Sequence, residues 1–104
     1  MSDLKAQLIK QLRLIDGLED RPSPVSGGSA LFYHGKEFAH FHDDHELDLR
    51  LTARVIKAQG LSHPTGSKIH PTRSKNSPWI EIRYRNTQDL PEVSRLVRLA
   101  IQEL

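Results

Sequence analysis

The sequence predicts an α+β fold: a single two-layer domain in which about four antiparallel strands form a sheet with two long helices on one face. Three observations support this prediction. Apolar residues recur at helical spacing near both ends of the chain, leucines alternate strictly with charged residues in the middle, and short turns separate the strand-like segments. Strands joined by short turns must run antiparallel, and the predicted order is α-β-β-β-α-β-α.

The two long helices are predicted from apolar stripes. In the first, Ser2 can act as the N-cap and Gly17 as the stop, and the stripe consists of Leu4, Leu8, Leu12 and Ile15. In the last, Asp89 and Glu92 form a pair that resembles a capping box. Its stripe consists of Val93, Leu96, Val97, Ala100, Ile101 and Leu104. Both helices are therefore amphipathic and should pack on the sheet.

The strands are predicted from alternation and turn residues. The stretch "ALFYHGKEFAHFHDDHELDLRL" indicates a three-stranded meander, with turns at Gly35 and within "DDHE". Thr52 then caps a short helix that ends at Gly60, and "WIEIRYR" is the next strand. Proline, glycine and serine make 19–29 and 61–78 irregular loops within a single domain spanning 1–104.

Composition limits the classes of function. With 37% hydrophobic and 27% charged residues, the chain is expected to fold. It has no cysteine, which excludes disulfides, thiolate metal ligands and thiol nucleophiles. No apolar run approaches the roughly 20 residues that span a bilayer, and the N-terminus lacks the apolar core of a secretion signal. We therefore expect a cytoplasmic protein without a membrane partner.

The net charge of +2 is unevenly distributed. Between 61 and 85, Glu81 is the one acid against five cations, which are Lys68, Arg73, Lys75, Arg83 and Arg85. Such a basic stripe fits nucleic-acid binding, and a solvated loop beside a strand explains it equally well. Only 6% of the residues are aromatic, so side chains for base stacking are scarce.

The stretch "EFAHFHDDHEL" carries three of the six histidines among four carboxylates. The register of the hairpin decides which way these side chains point. If the turn holds an odd number of residues, Ala39 lies opposite Leu49 and Phe41 opposite Leu47, which keeps the apolar side chains together. A slip of one residue would bury the imidazoles, so the odd register is predicted. On the opposite, polar face His40 then lies opposite Asp48 and His42 opposite Glu46, and Arg50 lies on the same face.

This polar face is the candidate functional surface. A carboxylate beside an imidazole fixes its tautomer, which suits a general base and a metal ligand alike. The candidate catalytic residues are His40, His42 and Asp48, and the first two are also the candidate metal ligands. The alternative is that these cross-strand pairs only stabilise the sheet. Because no metal or cofactor fingerprint is present, no cofactor is predicted, and a divalent metal ion is kept as an alternative.

Four further residues are candidates for ligand binding. Trp79 and Arg83 share the polar side of the "WIEIRYR" strand, where the indole could stack on a ligand. Arg50 lies on the same predicted face. His63 precedes a proline in the second irregular loop. The alternative for Trp79 is a core or rim anchor, and for His63 an ordinary residue of an extended loop.

The stretches "GKEFAHFHDDHELDLRL", "AQGLSHP" and "SPWIEIRYRNTQDLPEVSRLVRLAI" resemble the small domain of bacterial and fungal proteins known as the luciferase domain. The matching positions are Gly35, Lys36, Glu37, Phe38, His40, His42, Leu49, Leu51, Gly60, His63, Pro64, Ser77 and Trp79. The chain departs from the pattern at Pro78, where the family has glycine, and in the basic stretch "KIHPTRSKNSP". The family label is not evidence of light emission, because the chain is far too short for the barrel of flavin-dependent luciferases.

Three functions follow as hypotheses. The first is a binding or interaction module that uses the polar face around the His-x-His strand, with a small molecule or a protein as partner. The second, from a different class, is a histidine- or metal-dependent enzyme that uses the same face. The third is nucleic-acid binding through the basic 61–85 segment.

Overall fold

The structure is a computed structural model that describes residues 3–22, 28–62 and 76–104. Nine elements follow one another within these described ranges. They are α1 (Leu4–Leu12), β1 (Leu18–Pro22), β2 (Ser29–Tyr33), β3 (Lys36–Asp43), β4 (Glu46–Arg50), α2 (Ala53–Ala58), β5 (Trp79–Arg83), a 3₁₀ turn (Thr87–Asp89) and α3 (Leu90–Gln102).

The strands form one antiparallel sheet in the order β1-β2-β3-β4-β5, so each strand pairs with its neighbours in sequence. The predicted α+β class is confirmed, with two differences. The sheet has five strands rather than about four, and the described element order is α-β-β-β-β-α-β-α apart from the 3₁₀ turn. The additional strand is β1, whose residues fall almost entirely in the predicted loop 19–29.

β1 was not predicted because its sequence, "LEDRP", has neither alternating apolar residues nor β-branched ones. Only Leu18 of this strand is buried. The strand is held by backbone pairing to β2 along one side, from Leu18 opposite Tyr33 to Pro22 opposite Ser29. Charged residues and proline are common on edge strands, where they discourage pairing with other chains. The polar composition of β1 therefore suits its place at the edge of the sheet.

The helices differ in detail from the predictions. α1 ends at Leu12 rather than continuing to Gly17, and its N-cap is Asp3. The Thr52 side chain caps α2 as predicted, because its hydroxyl accepts a hydrogen bond from the amide of Val55. Of the predicted loop 61–78, residues 63–75 lie outside the described part of the chain. No helix among the described residues is long and apolar enough to cross a membrane.

The predicted pairing in the middle of the hairpin is confirmed, but the turn holds two residues, Asp44 and His45, rather than an odd number, and a bulge after Phe41 compensates for the difference. Ala39 lies opposite Leu49 and Phe41 opposite Leu47, and β5 continues these rows with Ile80 and Ile82. The sheet residues of this side pack with the stripes of both long helices in one apolar core. Its fully buried members include Leu8, Leu12, Leu47, Leu49 and Val97. The opposite side of β3, β4 and β5 is thereby left to the polar side chains.

Tyr84 follows β5 and is fully buried in the core. Its hydroxyl has no hydrogen-bond partner among the described residues. Burial, together with the nearby charges of Asp43, Asp44 and Glu46, raises the pKa of Tyr84. The phenol therefore stays neutral, and its desolvated hydroxyl is a cost to stability.

We expect the Tyr84→Phe variant to be more stable than the wild type by about 1 kcal/mol, because a buried polar group without a partner costs ~1–3 kcal/mol. Urea unfolding monitored by circular dichroism measures the difference. Tyr33→Phe is the control for loss of a hydroxyl at a half-buried position, with an expected change within about 0.5 kcal/mol. A loss of stability in Tyr84→Phe would show that the hydroxyl is hydrogen-bonded in solution.

Candidate functional site

The side of the sheet opposite the long helices carries the candidate site. We use the term histidine face for the side chains of β3, β4 and β5 on this side, namely His40, His42, Glu46, Asp48, Arg50, Trp79, Glu81 and Arg83. The sequence predicts a polar surface here, and the structure shows that its centre is buried. Asp48 is 1% exposed and Glu81 3% exposed.

His40 and Asp48 are direct cross-strand partners, as the odd register predicts. The Nε2 atom of His40 lies 3.2 Å from Oδ2 of Asp48. The Trp79 ring packs beside this imidazole at 5.2 Å between ring centroids, with an interplanar angle of 39°. Trp79 thus contacts the proposed site, and His40 is fixed between an indole and a carboxylate.

His42 occupies a β-bulge, which sequence analysis does not foresee. The register shifts between Phe41 and Asp43, so that Asp43 rather than His42 lies opposite Glu46. The predicted contact between the side chains nevertheless forms. Nδ1–H of His42 donates to Oε2 of Glu46 at 2.9 Å, because the carboxylate can only accept. Bulges commonly redirect a side chain in this way.

Glu46 is in turn held by Arg83, its direct partner on β5. The guanidinium Nε donates to Oε1 of Glu46 at 2.8 Å, so each carboxylate oxygen accepts one hydrogen bond. Burial acts to raise the pKa of Glu46, but the hydrogen bonds and charges of Arg83 and His42 outweigh it and lower the pKa. Glu46 is therefore ionised at neutral pH and orients the His42 ring.

Two overlapping sets of side chains bring their nitrogen and oxygen atoms together. The first set is His40, His42 and Asp48, and the second is His42, Glu46 and Glu81. Within each set, one nitrogen or oxygen atom from every residue lies within 4.8 Å of the others. Both sets have the chemistry of a metal-ligand cluster or of an acid–base site.

Glu81 is not among the candidate site residues predicted from the sequence. The signal that could have found it is the alternation of "WIEIRYR", which places Glu81 between Trp79 and Arg83 on the polar side. In the structure Glu81 lies directly opposite Asp48. Its burial could not be predicted, because the same alternation suits a solvated strand.

Other predicted site residues lie apart from the two sets or outside the described residues. Arg50 pairs with Trp79 across the strands, but it lines a separate cavity of about 580 Å³ together with Lys36, Glu37 and Glu103. His63 lies outside the described residues. The same holds for Lys68, Arg73 and Lys75 of the basic stripe, of which only Arg83 and Arg85 are described.

These observations define a small α+β domain with a buried histidine–carboxylate cluster on an antiparallel sheet. The chain belongs to the family described as the Luciferase domain, whose model matches residues 35–100. The match begins at Gly35, immediately before β3, and ends within α3, so it includes every residue of the histidine face. Neither the curated proteins nor the solved structures contain a significant match to the chain.

Proposed function

We propose that this chain is a small module that binds a ligand on the histidine face. The observation that carries the proposal is the convergence of imidazole and carboxylate groups from neighbouring strands within 4.8 Å. The groups form two overlapping sets that share His42: one adds His40 and Asp48, and the other adds Glu46 and Glu81. Their nitrogen and oxygen atoms suit a cation or a hydrogen-bonding small molecule.

The burial of this cluster supports binding rather than simple sheet stabilisation. Asp48 and Glu81 are directly opposed and almost completely buried. Like charges directly opposite one another destabilise a sheet, and buried ion pairs often contribute less than apolar side chains of similar size. Such an arrangement lowers the stability of the fold, and a binding role would explain why it is present. Buried carboxylates gathered in this way are more typical of binding and catalytic sites than of ordinary sheet surfaces.

A histidine-dependent enzyme on the same face is the second candidate. The contact that favours it is the chain of hydrogen bonds from Arg83 through Glu46 to His42. A carboxylate that orients an imidazole is the arrangement used by general bases. The binding module is nevertheless the primary proposal. It requires only the converging nitrogen and oxygen atoms, whereas an enzyme also requires a nucleophile or a substrate, and neither is identified.

Histidine-selective NMR of the full chain tests the proposed function with defined probes. The probes are inorganic phosphate, citrate, spermidine, magnesium chloride, zinc chloride and a single-stranded oligonucleotide. We expect at least one probe to shift the ring signals of both His40 and His42 in a saturable manner. The ring of His45, an exposed residue of the β3–β4 turn, is the internal control.

The matched variant is Asp48→Asn, which keeps the shape of the side chain but removes its charge. The probe that shifts the two rings in the wild type should bind more weakly to this variant. The proposal fails if no probe moves the His40 and His42 signals. It also fails if the same shift appears unchanged in Asp48→Asn.

A further inference from the structure

We infer that the ligand of the histidine face is a divalent transition-metal ion, coordinated by Nε2 of His40, Nε2 of His42 and a carboxylate oxygen of Asp48. This inference rests on the proposed function and names the ligand class. Two imidazoles and one carboxylate are a donor set that suits zinc, cobalt, nickel or ferrous iron. Three protein ligands leave a further coordination position for water or a small molecule.

The spacing of the donor atoms fits such an ion. Nε2 of His40 and Oδ2 of Asp48 are 3.2 Å apart. Two ligand atoms at ~2.0 Å from a tetrahedral zinc ion lie about 3.3 Å from each other. A metal ion would therefore fit between these two atoms without a large movement of either strand. A ring nitrogen of His42 belongs to the same set, in which the potential ligand atoms lie within 4.8 Å of one another.

The hydrogen bond to Glu46 selects the coordinating nitrogen of His42. Since Nδ1–H of His42 donates to Glu46, coordination falls to Nε2. A carboxylate behind the ring of a metal-binding histidine fixes the tautomer and increases the basicity of the coordinating nitrogen. Here the supporting carboxylate is itself held by Arg83 at 2.8 Å. Glu46 and Arg83 are thus positioning residues for His42.

Arg83 also distinguishes between the two overlapping sets. Its guanidinium contacts both carboxylates of the second set, Glu46 at 2.8 Å and Glu81 at 4.0 Å. The second set therefore already contains a cation. For this reason we assign the first set, His40, His42 and Asp48, as the metal site. A divalent ion there would also offset the repulsion between Asp48 and the directly opposed Glu81.

Isothermal titration calorimetry of the metal-free full chain with zinc chloride tests the assignment. We expect one equivalent to bind, and the affinity should fall as the pH is lowered because protons compete for the coordinating nitrogens. Magnesium chloride should bind far more weakly, since magnesium prefers oxygen ligands and retains its waters. The cobalt complex should show the visible absorption of a tetrahedral or five-coordinate ion.

The variants separate ligands from positioning residues. His40→Ala and His42→Ala should each weaken zinc binding by more than about 100-fold, and Glu46→Gln by about 10- to 100-fold. Glu46→Gln should also change the tautomer of His42 in the metal-free protein, which the ¹⁵N shifts of the ring report. His45→Ala is the matched control for loss of an imidazole, with unchanged affinity expected.

The wild-type protein supplies a test that does not depend on folded variants. Zinc should shift the Nε2 resonances of His40 and His42 and leave those of His45 in place. Unshifted His40 and His42 resonances would overturn the metal assignment, as would equal affinity for magnesium. If phosphate, citrate or spermidine shifts these rings while zinc does not, the metal inference fails and the proposed binding function stands. If no probe shifts them, both fail.

Discussion

Replacing Leu96 by alanine should lower the free energy of unfolding by roughly 2–5 kcal/mol, the cost usual for a buried leucine. Leu96 is 2% exposed and lies on α3 within the core that both long helices share with the sheet. The truncation removes apolar contacts and leaves a cavity that the close-packed surroundings cannot fully fill. Urea or thermal unfolding of the two proteins measures the loss.

Leu14→Ala is the matched control, because Leu14 is 84% exposed. The same chemical change there should alter stability by no more than about 0.5 kcal/mol. A loss below about 1 kcal/mol in Leu96→Ala would mean that α3 does not pack on the sheet as described, and the separation between core and histidine face would have to be revised.

The double variant His40→Leu/Asp48→Leu should be at least as stable as the wild type, and up to about 4 kcal/mol more stable, because apolar replacement of a buried pair is often neutral or stabilising. His40→Leu alone should destabilise the protein by about 3 kcal/mol, since it removes the imidazole from a buried carboxylate. A destabilised single variant beside a double variant that is at least as stable as the wild type would identify a site kept for binding rather than for stability.

Chemical unfolding of the two variants and the wild type gives the three free energies. Glu92→Ala, which removes the exposed ion pair between Glu92 and Arg95, is the control and should change stability by less than about 1 kcal/mol. A double variant clearly less stable than the wild type would show that the His40–Asp48 pair is retained to hold the sheet together.

Much of the fold could be predicted because burial constrains it. Strict alternation around Leu47 and Leu49 decided the hairpin register, since the alternative would bury imidazoles. The stripe of α3 likewise identified the core side of the last helix. β1 could not be predicted in this way, because its side chains are mostly polar and its pairing to β2 depends on backbone hydrogen bonds that leave no pattern in the sequence.

The candidate site could be predicted only where the alternation of side chains along the strands determines it. This alternation placed His40 opposite Asp48, and the structure agrees. The bulge at His42 could not be foreseen, because an additional residue in one strand changes no side-chain pattern that the sequence displays. Nor could the burial of Asp48 and Glu81 be inferred, since charged residues on a strand are ordinarily solvated.

The three proposed metal ligands lie within nine consecutive residues, on the two strands of the β3–β4 hairpin. Their convergence therefore depends on the residue count of one turn and one bulge. An insertion or deletion of a single residue between Phe41 and Leu47, if not absorbed by the bulge, would send the imidazoles and the aspartate to opposite sides of the sheet. Length variation in this turn is thus far more damaging to the donor set than most substitutions in it, although surface turns elsewhere tolerate such changes readily.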